Sequence, residues 1–175
     1  MTTAISTVGT HDIDPARFRQ SLGHYASGLT VVTTLIDNEL IGFTCQSFYS
    51  VSTEPPLISI CVKASSFSLP KIRQAKRFAV NILSTEQAAI SDIFAQRGAD
   101  KWQGIDWIPS PSNCPIISGS LHWLDCELYA EHAAGDHLIV IGKVMAMNDS
   151  PTGSKCPLLY YRGQYSQLRD EGLVV

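Results

Sequence analysis

The chain has 175 residues, 45% hydrophobic and 17% charged, with a formal net charge of −3; that suits one domain with its own core and excludes a disordered tail or a highly charged scaffold. The acidic balance argues against a broad nucleic-acid surface, and no apolar run approaches the ~18 residues that cross a bilayer, so neither nucleic acid nor membrane is expected as a partner. Residues 1–14 show neither part of a secretory signal, and five cysteines without a CxxC pair suggest neither a disulfide framework nor a zinc knuckle, so a reduced, cytoplasmic protein without a metal site is expected.

In chain order, Asp14 and Pro15 read as the N-cap and first residue of a helix that carries Phe18, Leu22 and Tyr25 and stops by Gly28. The β-branched run Leu29–Ile36 predicts a strand, Asp37-Asn38 a turn, and LIGFT a second strand. PPLISICV, entered through Pro55 and Pro56, and FAVNIL, Phe78 to Leu83, read as two more. A helix capped by Ser68 is expected through Ile72 towards Ala75. Another begins at a Ser84-x-x-Gln87 capping box, with Ile90, Ile93 and Phe94 on one face, and ends near Gly98. Residues 99–118 hold three prolines and no steady period, which predicts a long loop.

The last third is strand-like again. Ser120 to Ala133 alternates Leu124, Cys126, Leu128 and Ala130 against Asp125, Glu127 and Glu131. The turn Ala134-Gly135-Asp136 leads into His137–Met147, and LLYY follows. Six or seven strands without regular βαβ alternation argue for an antiparallel barrel in one domain spanning 1–175, its core at about 14–167.

Chemistry concentrates in three places. CVKASSFS (Cys61 to Ser68) leaves a strand and enters a helix through Ser65, Ser66 and Ser68, with Lys63 nearby: an anion site fit for a phosphate, or simply a capped helix with a solvated lysine. IGFTCQSFYSVS mixes Thr44, Gln46, Ser47, Ser50 and Ser52 with Phe43, Phe48 and Tyr49, which suits a flat heteroaromatic ligand or an edge strand with ordinary serines. LLYYRGQY groups Tyr160, Tyr161, Arg162 and Tyr165 around Gly163, fit to clamp a planar ring and a phosphate or to end a strand. His137 falls at a strand entrance, on the rim rather than in the core. His122 and His132 read as structural, and Asp92, Asp100 and Asp106 as solvated charges without an acid–base role. GxGxxG, HExxH, GxSxG and Walker loops are missing, and no catalytic side chain is assigned.

FRQSLGHYASGLTVVTT, GFTCQSFYSVSTEPPLISICV, FAVNIL, DKWQGIDW, GDHLIVIGKV and PLLYYRGQY, in this order, resemble the flavin reductase family with the FMN-binding split-barrel fold. More narrowly they resemble the reductase components of two-component aromatic-ring monooxygenases, over about Phe18 to Tyr165. The resemblance implies a mainly β fold, a six-stranded antiparallel Greek-key split barrel with flanking helices, working as a homodimer. It implies flavin contacts from Leu40, Ile41, Gly42, Phe43 and Thr44, with Gln46 and Ser47. Cys61, Val62, Lys63 and Ala64, then Ser65, Ser66, Phe67 and Ser68, would hold the ribityl and phosphate groups. The loop from Ala95 to Asp100 is a further flavin-contacting element. Tyr160, Tyr161, Arg162 and Gly163 match the nicotinamide-nucleotide contacts, with His137 lining that site. The short tail after Gln167 leaves little chain to fold over the cofactor.

The activity so implied is reduction of FMN or FAD by NADH or NADPH, with the reduced flavin passed to an oxygenase partner. The rivals are a flavin-storage protein of the same fold, a pyridoxamine-phosphate-oxidase-like enzyme, for which the basic residues near the hydroxyls are thin, and a scaffold using the barrel only to dimerise.

Overall fold

The structure, a computed structural model, describes residues 13–98, 100–149 and 156–168. Residues 1–12 of the 1–14 stretch without a secretory signal pattern, Ala99 of the expected flavin-contacting loop, residues 150–155 and the tail from residue 169 lie outside the described residues.

Helix α1 (Pro15–Leu22) starts where the sequence predicts, Asp14 Oδ1 accepting from the N–H groups of Ala16 and Arg17 at 2.8 and 3.1 Å. It stops at Gly23, well before Gly28, and none of its residues is buried. The short strand β1 (Ser27–Gly28) precedes β2 (Thr30–Ile36) and β3 (Glu39–Cys45), whose hairpin turns at Asp37 and Asn38 with φ of 51° and 62°. Such left-handed turn residues match the twist of the flanking strands, and Asp and Asn tolerate them best after glycine. Strands β4 (Phe48–Thr53) and β5 (Pro56–Lys63) follow, then α2 (Ser68–Ala75) and β6 (Arg77–Ile82). A 3₁₀ turn over Thr85–Gln87 leads into α3 (Ala88–Ala95). Gln87 Oε1 accepts from Ser84 N at 3.0 Å, the reciprocal contact that the capping-box pattern predicts.

Residues 99–118 are not one loop: β7 (Trp107–Pro109) and β8 (Pro115–Ile117) pair as a hairpin. The sequence hid it because prolines at both strand ends obscure the alternation. The long hairpin β9 (His122–Ala134) and β10 (His137–Met147) comes next, and β11 (Leu159–Tyr161) and β12 (Gln164–Ser166) turn at Arg162-Gly163 and pair back to β1.

The main sheet is antiparallel and has seven strands, where the resemblance implies six, in the order β3-β2-β6-β9-β10-β5-β4. The extra strand is β4: IGFTCQSFYSVS, read as one patch, breaks at Gln46-Ser47 into two strands at opposite ends of the ladder. No backbone ladder closes β3 onto β4, so the sheet is not a hydrogen-bonded barrel. It is nevertheless curled, because the two-residue link holds its outermost strands within about 11 Å at one end. Val32, Ile58, Ile60, Val62, Phe78, Val80, Cys126 and Val140, from across the ladder, meet Leu69 and Ile72 of α2 in one core. Burial there pushes the Cys126 thiol up to about 12. A second core packs Leu29, Val31 and Leu83 against Phe94 of α3. Asp125, expected on a polar face, is 1% exposed and accepts from Ser112 N at 2.8 Å and Ser112 Oγ at 2.5 Å, tying the β7–β8 hairpin down.

Candidate functional site

Where the curled sheet fails to close, a cleft of about 1310 Å³ opens, larger than the ~300–1,000 Å³ usual for a small-ligand site. One wall is β3. Leu40, Ile41, Gly42, Phe43 and Thr44 line it, continued by Gln46 and Ser47 of the link. As the outermost strand, β3 pairs only with β2, so its alternate backbone N–H and C=O groups lie off the ladder, towards this side.

The opposite wall is the end of β5 and the turn into α2. Cys61, Val62 and Lys63, then Ser65, Ser66, Phe67 and Ser68, all line the cleft. Ala64 does not; its N–H donates to Asp136 O at 3.0 Å and fixes the turn from behind. Ser68 is buried as the first helical residue rather than the cap. The hydroxyl that serves the helix start is Ser66 Oγ, accepting from Ser68 N at 3.2 Å.

Two of the expected ligand hydroxyls are used by the backbone instead. Thr44 Oγ1 donates to Ser91 O at 2.6 Å. Ser47 Oγ accepts from Cys61 N at 2.9 Å and donates to Cys61 O at 3.2 Å, holding β4's start to β5. Ser50 and Ser52 lie on β4, outside the lining.

The end wall comes from α3 and the segment after it. Ala95, Gln96, Arg97, Gly98 and Asp100 line the cleft together with Phe94, Lys101 and Trp102. Trp102 stacks edge-on against Phe94, centroids 5.0 Å apart, and its indole N–H is buried without a hydrogen-bond partner. Lys101 Nζ donates to Phe94 O at 3.0 Å and Gly42 O at 3.2 Å, clamping α3 to β3, and burial lowers its pKa. Gly42 is required by this packing. A Cβ there would stand 2.4 Å from the Phe94 ring.

Sequence reasoning missed Lys101, Trp102, Phe94 as a cleft residue, and Asn38 and Glu39 at the β2–β3 turn. The available signal was Gly42 itself, since a glycine inside a strand often marks close approach of another group.

His137 lines the cleft at the head of β10, its Nδ1 2.7 Å from Asp136 Oδ1, and that hydrogen bond lowers the Asp136 pKa. Tyr160, Tyr161, Arg162 and Gly163 are not in the cleft lining. They form the β11–β12 hairpin beside it. Arg162 N donates to Gly23 O at 2.9 Å, next to the cleft residue Leu22. Tyr160 packs edge-on to Tyr165, whose hydroxyl donates to Asp92 of α3 at 2.5 Å. Among the described residues no cluster of three or more His, Cys, Asp or Glu could hold a metal ion, and no helix is long and apolar enough to cross a membrane.

The chain is similar to several known proteins. Residues 22–169 match the family model described as a flavin reductase like domain. Over 159 residues the chain is 43% identical to the reductase subunit HsaB of a flavin-dependent monooxygenase from Mycobacterium tuberculosis, covering 91% of this chain and 85% of that one. Among solved structures, nitrilotriacetate monooxygenase component B from Mycobacterium thermoresistibile is 42% identical, with a TM-score of 0.85 over 87% of this chain and 86% of that one. The NADH:FAD oxidoreductase SgcE6 of Streptomyces globisporus, solved in complex with NAD and FAD fragments, is 28% identical, with a TM-score of 0.87 over 96% and 99%.

Proposed function

This chain belongs to the flavin reductase like domain family, and from that membership we propose that it is an NAD(P)H:flavin oxidoreductase. It reduces FMN or FAD and supplies the reduced flavin to an oxygenase partner that hydroxylates an aromatic compound. The observation that carries the reading is that Leu40–Thr44, Cys61–Lys63 with Ser65–Ser68, and the segment after α3 all line one cleft.

The cleft's own chemistry fits a flavin. Ile41, Phe43, Phe94 and Trp102 supply apolar walls, the free edge of β3 supplies backbone donors and acceptors for a polar ring rim, and the indole N–H of Trp102 lacks a partner. Ser65, Ser66, the start of α2 and Lys63 form the cradle for a phosphate. A bound flavin would supply the redox chemistry, as acceptor for the hydride of a reduced nicotinamide. The protein's residues position and shield. Lys101 holds β3 and α3 at fixed separation, Trp102 and Phe94 exclude water from one end, and His137, oriented by Asp136, shapes the side from which the nicotinamide enters. Tyr161 and Arg162 take the nucleotide's outer part. Hydride transfer of this kind needs no side-chain acid, consistent with the lack of a triad motif.

In this reading the curled sheet is a split barrel with its seam at the cleft, and the active unit is a homodimer. The exposed Phe18, Leu22 and Tyr25 around α1, a helix that buries none of its residues, support a partner there.

Anaerobic stopped-flow mixing of the purified protein with NADH or NADPH and with FMN or FAD tests the proposal. Flavin should bleach in at least one pairing. If flavin binds but none of the four pairings bleaches, the protein stores flavin rather than reducing it.

A further inference from the structure

The cleft continues beyond the serine turn. Phe67, between Ser66 and Ser68, lines it and is 71% exposed. Lone exposed apolar side chains are common, but this ring has charged neighbours on one side. Lys71 Nζ lies 5.7 Å from its centroid and is fixed in turn by Glu39 Oε2 at 2.6 Å. Glu39 and Asn38 line the cleft from the β2–β3 turn. The outer lip thus has a flat apolar face beside a carboxylate and a carboxamide. A purine base needs that combination: a ring to stack on and acceptors for its amino group.

Charge points the same way. Lys63 and Arg97 line the cleft, and among the described residues neither has a carboxylate ion-pair partner. Two such cations, Arg97 and Lys63, the latter also within the field of the Asp136 carboxylate, suit a diphosphate better than a single phosphate ester.

We propose that the cleft prefers the dinucleotide flavin FAD, with its adenine stacked on Phe67 between the serine turn and the Asn38–Glu39 edge. This rests on the flavin reading above and adds to it a specificity-determining residue. The test is equilibrium binding of riboflavin, FMN and FAD to the full chain and to two variants, Phe67→Ala and Phe67→Trp. The wild type should bind FAD about tenfold more tightly than FMN, in the range expected for one base on an aromatic face. Phe67→Ala should bring the FAD-to-FMN ratio close to one, and Phe67→Trp should keep it.

A wild type that binds FMN as tightly as FAD would overturn the inference and leave the flavin reading standing. So would a ratio unchanged in Phe67→Ala, or a variant that loses NADH affinity or changes oligomeric state instead, since the ring would then serve the nicotinamide nucleotide or a subunit contact. Failure of all three flavins to bind would remove the functional reading and this inference with it.

Discussion

Ser66 shows how much a single hydroxyl decides in this site. Its Oγ accepts from Ser68 N at the start of α2, and it lines the cleft where the phosphate cradle is proposed. An aspartate carboxylate accepts from a backbone N–H two residues on as a serine hydroxyl does, so Ser66→Asp keeps the helix start while placing a negative charge beside the ligand's own. The variant should therefore melt within a degree or two of the wild type, while FMN affinity falls about tenfold or more and riboflavin affinity hardly moves. Comparable losses for the two ligands would mean that no phosphate sits there. At this scale the sequence was legible in kind but not in detail. Most of the proposed flavin-contact residues line one cleft, yet Thr44 and Ser47 spend their hydroxyls on backbone groups. A serine's partner depends on which carbonyl the fold brings near, and composition carries no record of that. Lys101 escaped notice for the same reason, because its two acceptors, Gly42 O and Phe94 O, come from elsewhere in the chain.

Among the elements, those specified by local rules were readable and those specified by partners were not. Asp14-Pro15, Asp37-Asn38 and Gly135-Asp136 each encode a cap or turn through their own backbone preferences, and each stands where the sequence puts it. Strand β4 and the β7–β8 hairpin exist because β5 and each other complete their ladders, which no local pattern announces. Helix α1 provides a clean test of a local rule. It buries no residue, so its cap has little to do with global stability. Asp14→Ala should remove about 1 kcal/mol from the helix start, the usual value of such a cap. At concentrations low enough to keep the chain monomeric, amide exchange across Pro15–Leu22 should then quicken about fivefold, while the global unfolding midpoint shifts by little, because local opening already governs exchange in an unburied helix. At concentrations where the proposed dimer forms, its packing on α1 should make the same variant lower the midpoint more; a midpoint shift that does not depend on concentration would place the subunit contact elsewhere.

On the scale of the molecule, the cleft exists because a seven-strand ladder curls without closing. Strands β3 and β4 are consecutive in the chain yet stand at opposite ends of the sheet, with only Gln46 and Ser47 between them. One side chain of the link ties it to the β5 side of the sheet. Ser47 Oγ engages both the N–H and the C=O of Cys61, continuing by side chain the ladder that β4 makes with β5 from Phe48 onward. Cys61 and Ser47 both line the cleft, so the geometry of the seam and that of the proposed flavin wall are one thing. Removing the hydroxyl leaves a half-buried donor and acceptor without their partner, at a net cost of about 1–2 kcal/mol. Ser47→Ala should therefore lower urea stability by that amount and also weaken flavin binding about fivefold under conditions where the variant is fully folded, because the wall is no longer held in register. Ser47→Thr keeps the hydroxyl and should recover most of both losses. Ser50→Ala, on the exposed part of β4, should change neither. If Ser47→Ala loses stability but binds flavin as the wild type does, the seam supports the fold alone and the ligand wall draws its geometry from Lys101 and α3.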